Sequence, residues 1–341
     1  MTKTKSNSIT IRDVANKAGI SVATVSRYLN GTTPVSAEVA NRLEQVMAEL
    51  NYIPHSTARK LATNKTDTIG LLTMDISGDF FAPLMNGIEE ITSQNGFDLL
   101  IASTRQSQKH QKVIPSIGPH NTDGLLIFAN SLDESLLTRY HASGYPMVLI
   151  HYSPPRNLPI PCVTVENRSA SCKIVEHLIE VHGRRRIVFL RGEEGQEDSY
   201  WREMGYQLAL QKHSIPFDPH LVAPGEFERE IAAQSIQYLI TSGVEFDGVF
   251  AGDDEAAVGV LAALKMAGKR VPEEISVVGF DDQRMSPYLN PPLTTVRAHT
   301  DEVGRAAAQS LVDLIQIGSA ELLTLLPTEI VIRQSCGCKP V

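Results

Sequence analysis

Apolar positions follow two regimes along the chain. Between residues 10 and 50 they recur at helical spacing: Ile11, Val14, Ala15 and Ala18 make one stripe, Val25 and Leu29 a second. Val39, Leu43, Val46, Met47 and Leu50 make a third. Three short helices are predicted. Thr10 can cap the first, with Asp13 three residues on in a capping-box position. Gly19 supplies the turn, because positive φ is nearly free only for glycine. Ser21 caps the second helix, which ends at Asn30-Gly31, and Ser36 caps the third. Helix, glycine turn and helix at this spacing predict a helix-turn-helix.

From Thr68 onward short apolar runs alternate with amphipathic stretches. Runs at 69–74, 97–103, 124–128, 147–151, 162–165, 187–191, 248–251 and 275–280 predict strands. Stretches at 80–94, 170–182, 201–212, 229–240 and 255–267 predict helices, and a last strand is expected near 330–333. Strands alternating with helices predict parallel sheets covered on both faces. Two such sheets with a cleft between them fit a chain of 341 residues.

Composition removes several classes. The chain is 42% hydrophobic and 21% charged, so it can bury ordinary cores. No apolar run approaches the ~18 residues of a membrane helix. Residues 1–30 lack the continuous apolar block of a signal peptide. Four cysteines, Cys162, Cys172, Cys336 and Cys338, are too few for a disulfide scaffold. A cytoplasmic protein without a membrane partner is expected.

The net charge of −8 argues against a nucleic-acid partner until its distribution is read. Residues 1–66 hold nine Lys/Arg against four Asp/Glu, a balance of +5, which leaves −13 for the remainder. A basic head on an acidic body suits a head that meets a polyanion. In a helix-turn-helix the second helix enters the major groove. Its outward residues here are Ser21, Val22, Ala23, Thr24, Ser26 and Arg27. Arg27 can donate two hydrogen bonds to a guanine edge, while Val22 and Ala23 suit thymine methyls. Thr10, Ser21, Thr24, Ser26 and Ser36, with Asn30, can hold phosphates and fix register. Asn51-Tyr52-Ile53-Pro54 stops the third helix. The stretch 55–62 is helix-capable but too short to be stable alone, with an exposed leucine between cations. It suits wedging into a minor groove, against the plainer reading of a linker.

At these residues a resemblance becomes specific. The run Ile11-Arg12-Asp13-Val14-Ala15 through Gly19-Ile20-Ser21-Val22-Ala23-Thr24-Val25-Ser26-Arg27-Tyr28-Leu29-Asn30-Gly31 resembles the DNA-binding domain of the LacI/GalR family of bacterial transcription regulators. Leu50-Asn51-Tyr52-Ile53-Pro54, followed by Ala58 and Leu61, is similar to that family's hinge. The resemblance implies that Val22, Ala23 and Arg27 read bases. It implies that Leu61 intercalates at the operator centre and that Ala58 packs two hinge helices together. Val22-Ala23 resembles the galactose-repressor branch, which implies a central C-G step flanked by A/T-rich arms. Tyr28 stands where many members carry a small aliphatic residue, a packing variation.

The body resembles the periplasmic sugar-binding fold that this family shares, through Val271-Pro272, Phe280-Asp281-Asp282 and Pro291-Pro292-Leu293-Thr294-Thr295-Val296. The implied division is a helix-turn-helix domain at 1–54, a hinge helix and linker at 55–67, and an effector-binding and dimerisation core at 68–341. Within the core one lobe takes 68–167 and 298–327, the other 168–297 and 328–341. Ligand is expected at the carboxyl ends of strands in the cleft. Candidates by position are Phe80, Phe81, His151, Arg202, Asp253 and Asp281; the family's effector contacts map onto Phe81, Arg202, Asp253 and Asp281. Carboxylates and an arginine can each bind adjacent hydroxyls while an aromatic face covers a sugar ring. His151 stands where many relatives carry Asp, and Asp253 where many carry Asn, so the sugar is not carried over. Trp201 either stacks on ligand or packs at an exposed helix start.

Catalytic motifs are missing. The sequence has no G-x-G-x-x-G after a candidate strand, no G-x-x-x-x-G-K-[ST], no H-E-x-x-H and no G-x-S-x-G. Cys336-Gly337-Cys338 has no Cys/His pair nearby in the sequence, so no metal is expected, and no cofactor. The reading is a DNA-binding regulator, a repressor by the resemblance, that binds a pseudo-palindromic operator in double-stranded DNA and responds to a small sugar-like effector. No leucine-heptad tail follows 330–333, so a homodimer is expected. A transport-type solute-binding protein would need a signal peptide. A sugar-modifying α/β enzyme would turn its ligand over.

Overall fold

The computed structural model describes residues 9–30, 33–52, 65–74, 76, 78–104, 116–129 and 131–339, and of Asn30 only the backbone. Ala58 and Leu61, and with them the expected hinge, lie outside the described residues. Contacts divide the chain into two compact units, Met1–Asp67 and Thr68–Val341.

The first unit holds helices α1 (Ile11–Ala18), α2 (Val22–Asn30) and α3 (Ala37–Glu49). Val14, Ala15, Ala18, Val25, Leu43 and Val46 form its buried core, as the spacing predicts, and Tyr52 joins them. At the start of α1 the Asp13 carboxylate accepts from both the backbone N–H (2.8 Å) and the hydroxyl (2.7 Å) of Thr10. Gly19 takes φ +69°, which lets Ile20 N–H reach back to Ala15 O at 3.1 Å. Ser21 Oγ then accepts from Thr24 N–H at 3.1 Å and opens α2. Tyr28, read as a packing variation, is a tie between helices: its hydroxyl donates to Glu44 Oε1 at 2.8 Å. Lys17 and Glu49, 2.8 Å apart, join α1 to α3.

The second unit begins with β1 (Thr68–Thr73), α4 (Phe81–Gln94), β2 (Asp98–Ser103), β3 (Gly124–Phe128), α5 (Glu134–Ala142), β4 (Met147–Ile150) and β5 (Cys162–Val165). There follow α6 (Asn167–His182), β6 (Ile187–Arg191), α7 (Glu197–Lys212), β7 (Val222–Pro224), α8 (Arg229–Thr241), β8 (Gly248–Ala251), α9 (Asp254–Met266) and β9 (Ser276–Val278). The last elements are β10 (Thr295–Arg297), α10 (Thr300–Gln316), β11 (Leu323–Leu326) and β12 (Glu329–Val331). Every strand pair of a six-stranded sheet, ordered β11-β5-β4-β3-β1-β2, is parallel, and so is every pair of a four-stranded sheet, ordered β7-β6-β8-β9.

The eight predicted body strands up to residue 280 are all present, several of them shorter; 275–280 contracts to Ser276–Val278. Parallel pairing explains the near-continuous apolar runs, because helices cover both faces. Helix pairs seal those faces at close range. A Cβ on Gly87 of α4 would lie 2.0 Å from Asp301 O of α10, and one on Gly304 of α10 would lie 2.3 Å from Leu84 O. The two backbones touch, and only glycine allows it. The chain makes β1 to β5 in the first sheet and β6 to β9 in the second, then returns through α10 to add β11 to the first. On the way back β12 pairs antiparallel with β10, Thr295 opposite Val331.

Candidate functional site

The carboxyl ends of these parallel strands surround one cavity of about 490 Å³. From the six-stranded side Phe80 and Phe81 enter at the start of α4, Phe128 at the end of β3 and His151 just after β4. From the other side come Arg202 of α7, Asp253 at the cap of α9 and Asp281 beyond β9. All six residues named as effector contacts from the sequence line this cavity.

Backbone strain concentrates here. Of eleven described non-glycine residues at positive φ, five line the cavity: Ala129, His151, Glu226, Phe227 and Asp281. Such conformations cost energy and persist where the surroundings over-determine them, commonly at ligand sites. Phe80, Phe81, Phe128 and His151 form an edge-to-face aromatic wall with centroids 5.1–5.9 Å apart.

Arg202 is only 3% exposed. Its Nε donates to Asn167 Oδ1 (2.9 Å), its Nη1 to Gly252 O (2.6 Å) and its Nη2 to Asp281 Oδ1 (3.3 Å). The guanidinium lies over the Phe280 ring, Cζ 3.8 Å from the centroid. Most of its donors are therefore committed to the protein, and it organises the carboxylates as much as it faces the cavity. Asp253 is a helix cap, accepting from Ala256 N–H at 2.8 Å, and a cavity wall at once.

Asp198 had no place in the sequence reading. It sits one turn before Arg202 on α7, with Oδ2 2.8 Å from His151 Nδ1 and 3.8 Å from Arg202 Nη2, while Oδ1 accepts from Asn167 Nδ2 at 2.8 Å. Burial alone would raise its pKa, but His151, Arg202 and Asn167 outweigh that and hold it below the usual carboxylate range. Both ring nitrogens of His151 are buried and neither makes a well-formed hydrogen bond among the described residues, although Nδ1 lies 2.8 Å from Asp198 Oδ2. Trp201 is not among the lining residues; it is 38% exposed and its indole N–H donates to Glu197 Oε1 at 3.1 Å.

The other carboxyls go the opposite way. Burial, then the charge of Asp281, pushes Asp253 well above the carboxylate range. Burial raises Asp281 too, against the pull of Arg202. Behind them Asp254, fully buried, accepts from Ser286 Oγ and Thr295 Oγ1, each at 2.5 Å, and from Gln283 N–H at 2.9 Å. Burial lifts Asp254 to about 7 in spite of those donors. The folded chain therefore holds a proton there that the unfolded chain releases near 3.8. Its stabilising contribution is complete below that value and is lost as pH rises through about 7. Asp254→Asn is expected to remove this component. Thermal melts of wild type and variant between pH 4.5 and 8 should diverge progressively, wild type losing ground as pH rises; parallel curves would place the proton elsewhere.

In the first unit Val22, Ala23 and Arg27 stand on the exposed face of α2. Arg27 Nε donates to Ala23 O at 3.3 Å, and the side chain as a whole is exposed. Thr24 and Ser26 are half-buried, and the hydroxyls of Thr10, Ser21 and Ser36 already serve helix starts.

Residues 10–55 match the family model of bacterial regulatory proteins, lacI family, and residues 175–336 match a periplasmic binding protein-like domain. The HTH-type transcriptional repressor CytR of Escherichia coli (strain K12) is 32% identical over 342 residues, covering 99% of each chain. The chain belongs to the LacI family. Within it, a solved complex of the transcriptional regulator CelR with cellobiose superposes with a TM-score of 0.69 at 27% identity, covering 96% of this chain and 99% of that one. The lac repressor dimer bound to operator and the anti-inducer ONPF superposes with a TM-score of 0.79 at 26% identity, over the same shares. The family's two-lobed, periplasmic-binding-protein-like core is the architecture of Thr68–Val341. The LacI-family relatives are regulators. No helix among the described residues is long and apolar enough to cross a membrane.

Proposed function

We propose that this chain is a sequence-specific DNA-binding transcriptional repressor whose operator affinity is set by a small, uncharged or cationic polyhydroxylated effector held between the core lobes. The observation that carries the reading is one chain with a helix-turn-helix at one end and, in the core, a cavity at the strand ends whose walls are aromatic on one side and carboxylate on the other. Phenylalanine faces cover the C–H side of a sugar ring, and Asp253, Asp281 and His151 Nε2 address its hydroxyls. Val22, Ala23 and Arg27 read bases, with Ala58 and Leu61 at the operator centre. Thr10, Ser21, Thr24, Ser26, Asn30 and Ser36 meet phosphates. The division into 1–54, 55–67 and 68–341, with lobes 68–167 plus 298–327 and 168–297 plus 328–341, supplies the moving parts. Effector must favour one lobe arrangement to shift the DNA-competent population.

Charge selects the effector class. Ten acidic side chains but only two arginines line the cavity, both arginines are already paired with acids, and the eight acids other than Asp253 and Asp281 still outnumber them. An anionic sugar would meet a repelling field. In a thermal-shift screen, neutral sugars or amino sugars are therefore expected to raise the melting temperature, and sugar phosphates and sugar acids are not. A stabilising sugar phosphate would overturn this selection.

The same reading makes the chain a cytoplasmic homodimer on a pseudo-palindromic operator. It also makes the cleft a sensor rather than a catalytic centre, supported by the regulatory roles of the relatives. Selection from random duplexes at moderate salt, with and without effector, tests the whole: a single palindromic motif whose binding the effector alters is expected. Absence of any preferred sequence would end the proposal, and turnover of the stabilising ligand would favour an enzyme instead.

A further inference from the structure

Far from the cavity lining, the structure assembles a second group of chemistry-bearing side chains. The sequence offers Cys336-Gly337-Cys338 without a Cys/His pair nearby, and for that reason no metal was expected. Folding supplies the pair from α6. His177 and His182, separated from Cys338 by 161 and 156 positions, bring Nε2 atoms to 3.6 and 3.5 Å from Cys338 Sγ. The two Nε2 atoms are 3.3 Å from each other. Ligand atoms of His177, His182, Cys336 and Cys338 all lie within 4.8 Å of one another.

The three separations among His177, His182 and Cys338 match edges of a coordination tetrahedron, and Cys336 Sγ lies within 4.8 Å of all three. Zinc bonds of about 2.3 Å to sulfur and 2.0–2.1 Å to nitrogen, at tetrahedral angles, require N···N of about 3.3 Å and S···N of about 3.5–3.6 Å. Two imidazole nitrogens and two sulfurs in a tetrahedron are a zinc-type donor set. His177 to His182 is an H-x₄-H interval within the usual range for such sites, whereas C-x-C is tighter than the usual C-x₂₋₄-C.

The local backbone accounts for the tight cysteine interval. Gly337 takes φ +117°, and a Cβ there would lie 2.9 Å from His182 Nδ1, so only glycine brings this loop against the ring. The flanking chain is held from several sides. Ser276 Oγ donates to Cys336 O at 2.6 Å, Ser335 Oγ donates to Val277 O at 2.6 Å, and Thr294 Oγ1 donates to Cys336 Sγ at 3.1 Å. That last contact also suits a thiolate, as an outer partner that orients a metal ligand. On the other side His182 ends α6, with Gly183 as its left-handed cap.

We propose that His177 Nε2, His182 Nε2 and the sulfurs of Cys336 and Cys338 bind one zinc(II) ion tetrahedrally. Binding releases the two thiol protons to solvent and leaves a neutral centre of two thiolates and two imidazoles around the dication. The ion clamps the C-terminal segment after β12 to the end of α6. That helix starts at Asn167, the partner of Arg202, and its 16 residues place the clamp about 22 Å along it from the cavity floor.

The test uses the full-length chain, reduced and stripped with a chelator. Cobalt(II) titration is expected to give the intense visible bands of a tetrahedral thiolate centre, saturating at one ion per chain, and zinc(II) should displace them stoichiometrically. Cys338→Ser and His177→Gln, both at half-buried positions, should bind at least tenfold more weakly and lose the thermal upshift that zinc gives wild type. Circular dichroism confirms that both variants are folded. A pale six-coordinate cobalt spectrum, no saturable binding, or undiminished binding by the variants would overturn the proposal and leave a hydrogen-bonded His-His-thiol cluster.

Discussion

Arg202→Met is expected to lower folding stability by about 3–5 kcal/mol, the usual loss when one partner of a buried ion pair is removed. The guanidinium is 3% exposed and holds four groups together: Asn167, the Gly252 carbonyl, Asp281 and, at 3.8 Å, Asp198. Methionine fills much of the volume but answers none of those acceptors. Asp281, already raised by burial, loses the cation that opposes that rise and is left as an unpaired buried carboxylate. Effector binding should be lost with it, since Asp281 and Asp198 are oriented by this side chain. Urea denaturation measures the first effect and titration with the screened effector the second. Arg202→Met combined with Asp281→Asn should recover part of the stability, because the double variant removes the orphaned charge as well. Equal destabilisation in the single and double variants would show that packing, not the carboxylate, is at stake.

The second large effect is expected on DNA. Arg27→Ala should weaken binding to a selected operator by about 1–3 kcal/mol per half-site, or about 5- to 150-fold, and relax preference at one symmetric base position. The side chain is exposed and its Nε is tied to Ala23 O, so its loss should leave the core of Val14, Val25 and Leu43 intact. Fluorescence anisotropy on the operator and on singly substituted versions reads both quantities. Uniform weakening across all sequences would instead make Arg27 a phosphate contact.

How much of this was legible in the sequence depends on where polar residues sit. The three helices of the head were legible as a pattern, because a small helical unit writes its core in i, i+3 and i+4 spacing and its ends in capping residues, whereas the burial of Tyr52 and the Tyr28–Glu44 tie were not. In the body, apolar periodicity placed the start of α6 at 170 and of α7 at 201, whereas they begin at Asn167 and Glu197. The omitted first turns are polar because they face the cavity or cap the helix. Trimming α7 by its apolar stripe removed Asp198, the partner of His151. The strands β7 and β10, three residues each, carry too little pattern to stand out, whereas the strand expected near 330–333 is present as β12, Glu329–Val331. Of the four proposed zinc ligands the sequence reading singled out only the C-x-C pair, because the histidines that meet it lie more than 150 positions away and only tertiary folding joins them. The six cavity residues were legible because strand ends converge by topology, which the resemblance to a two-lobed fold already implies.

The short antiparallel pair β10–β12 bears on how a core of this design can move. Both strands belong to segments that run between the regions of the two larger sheets, and they are bonded to each other, Val296 opposite Ile330. Arg297 fastens them further, with Nε 2.7 Å from Asp282 Oδ2 and Nη1 2.5 Å from Glu329 Oε1. Two independent threads would let one half of the core pivot in any direction. A two-stranded ribbon bends more readily out of its plane than within it, so these bonds favour one axis of bending for the two segments they join.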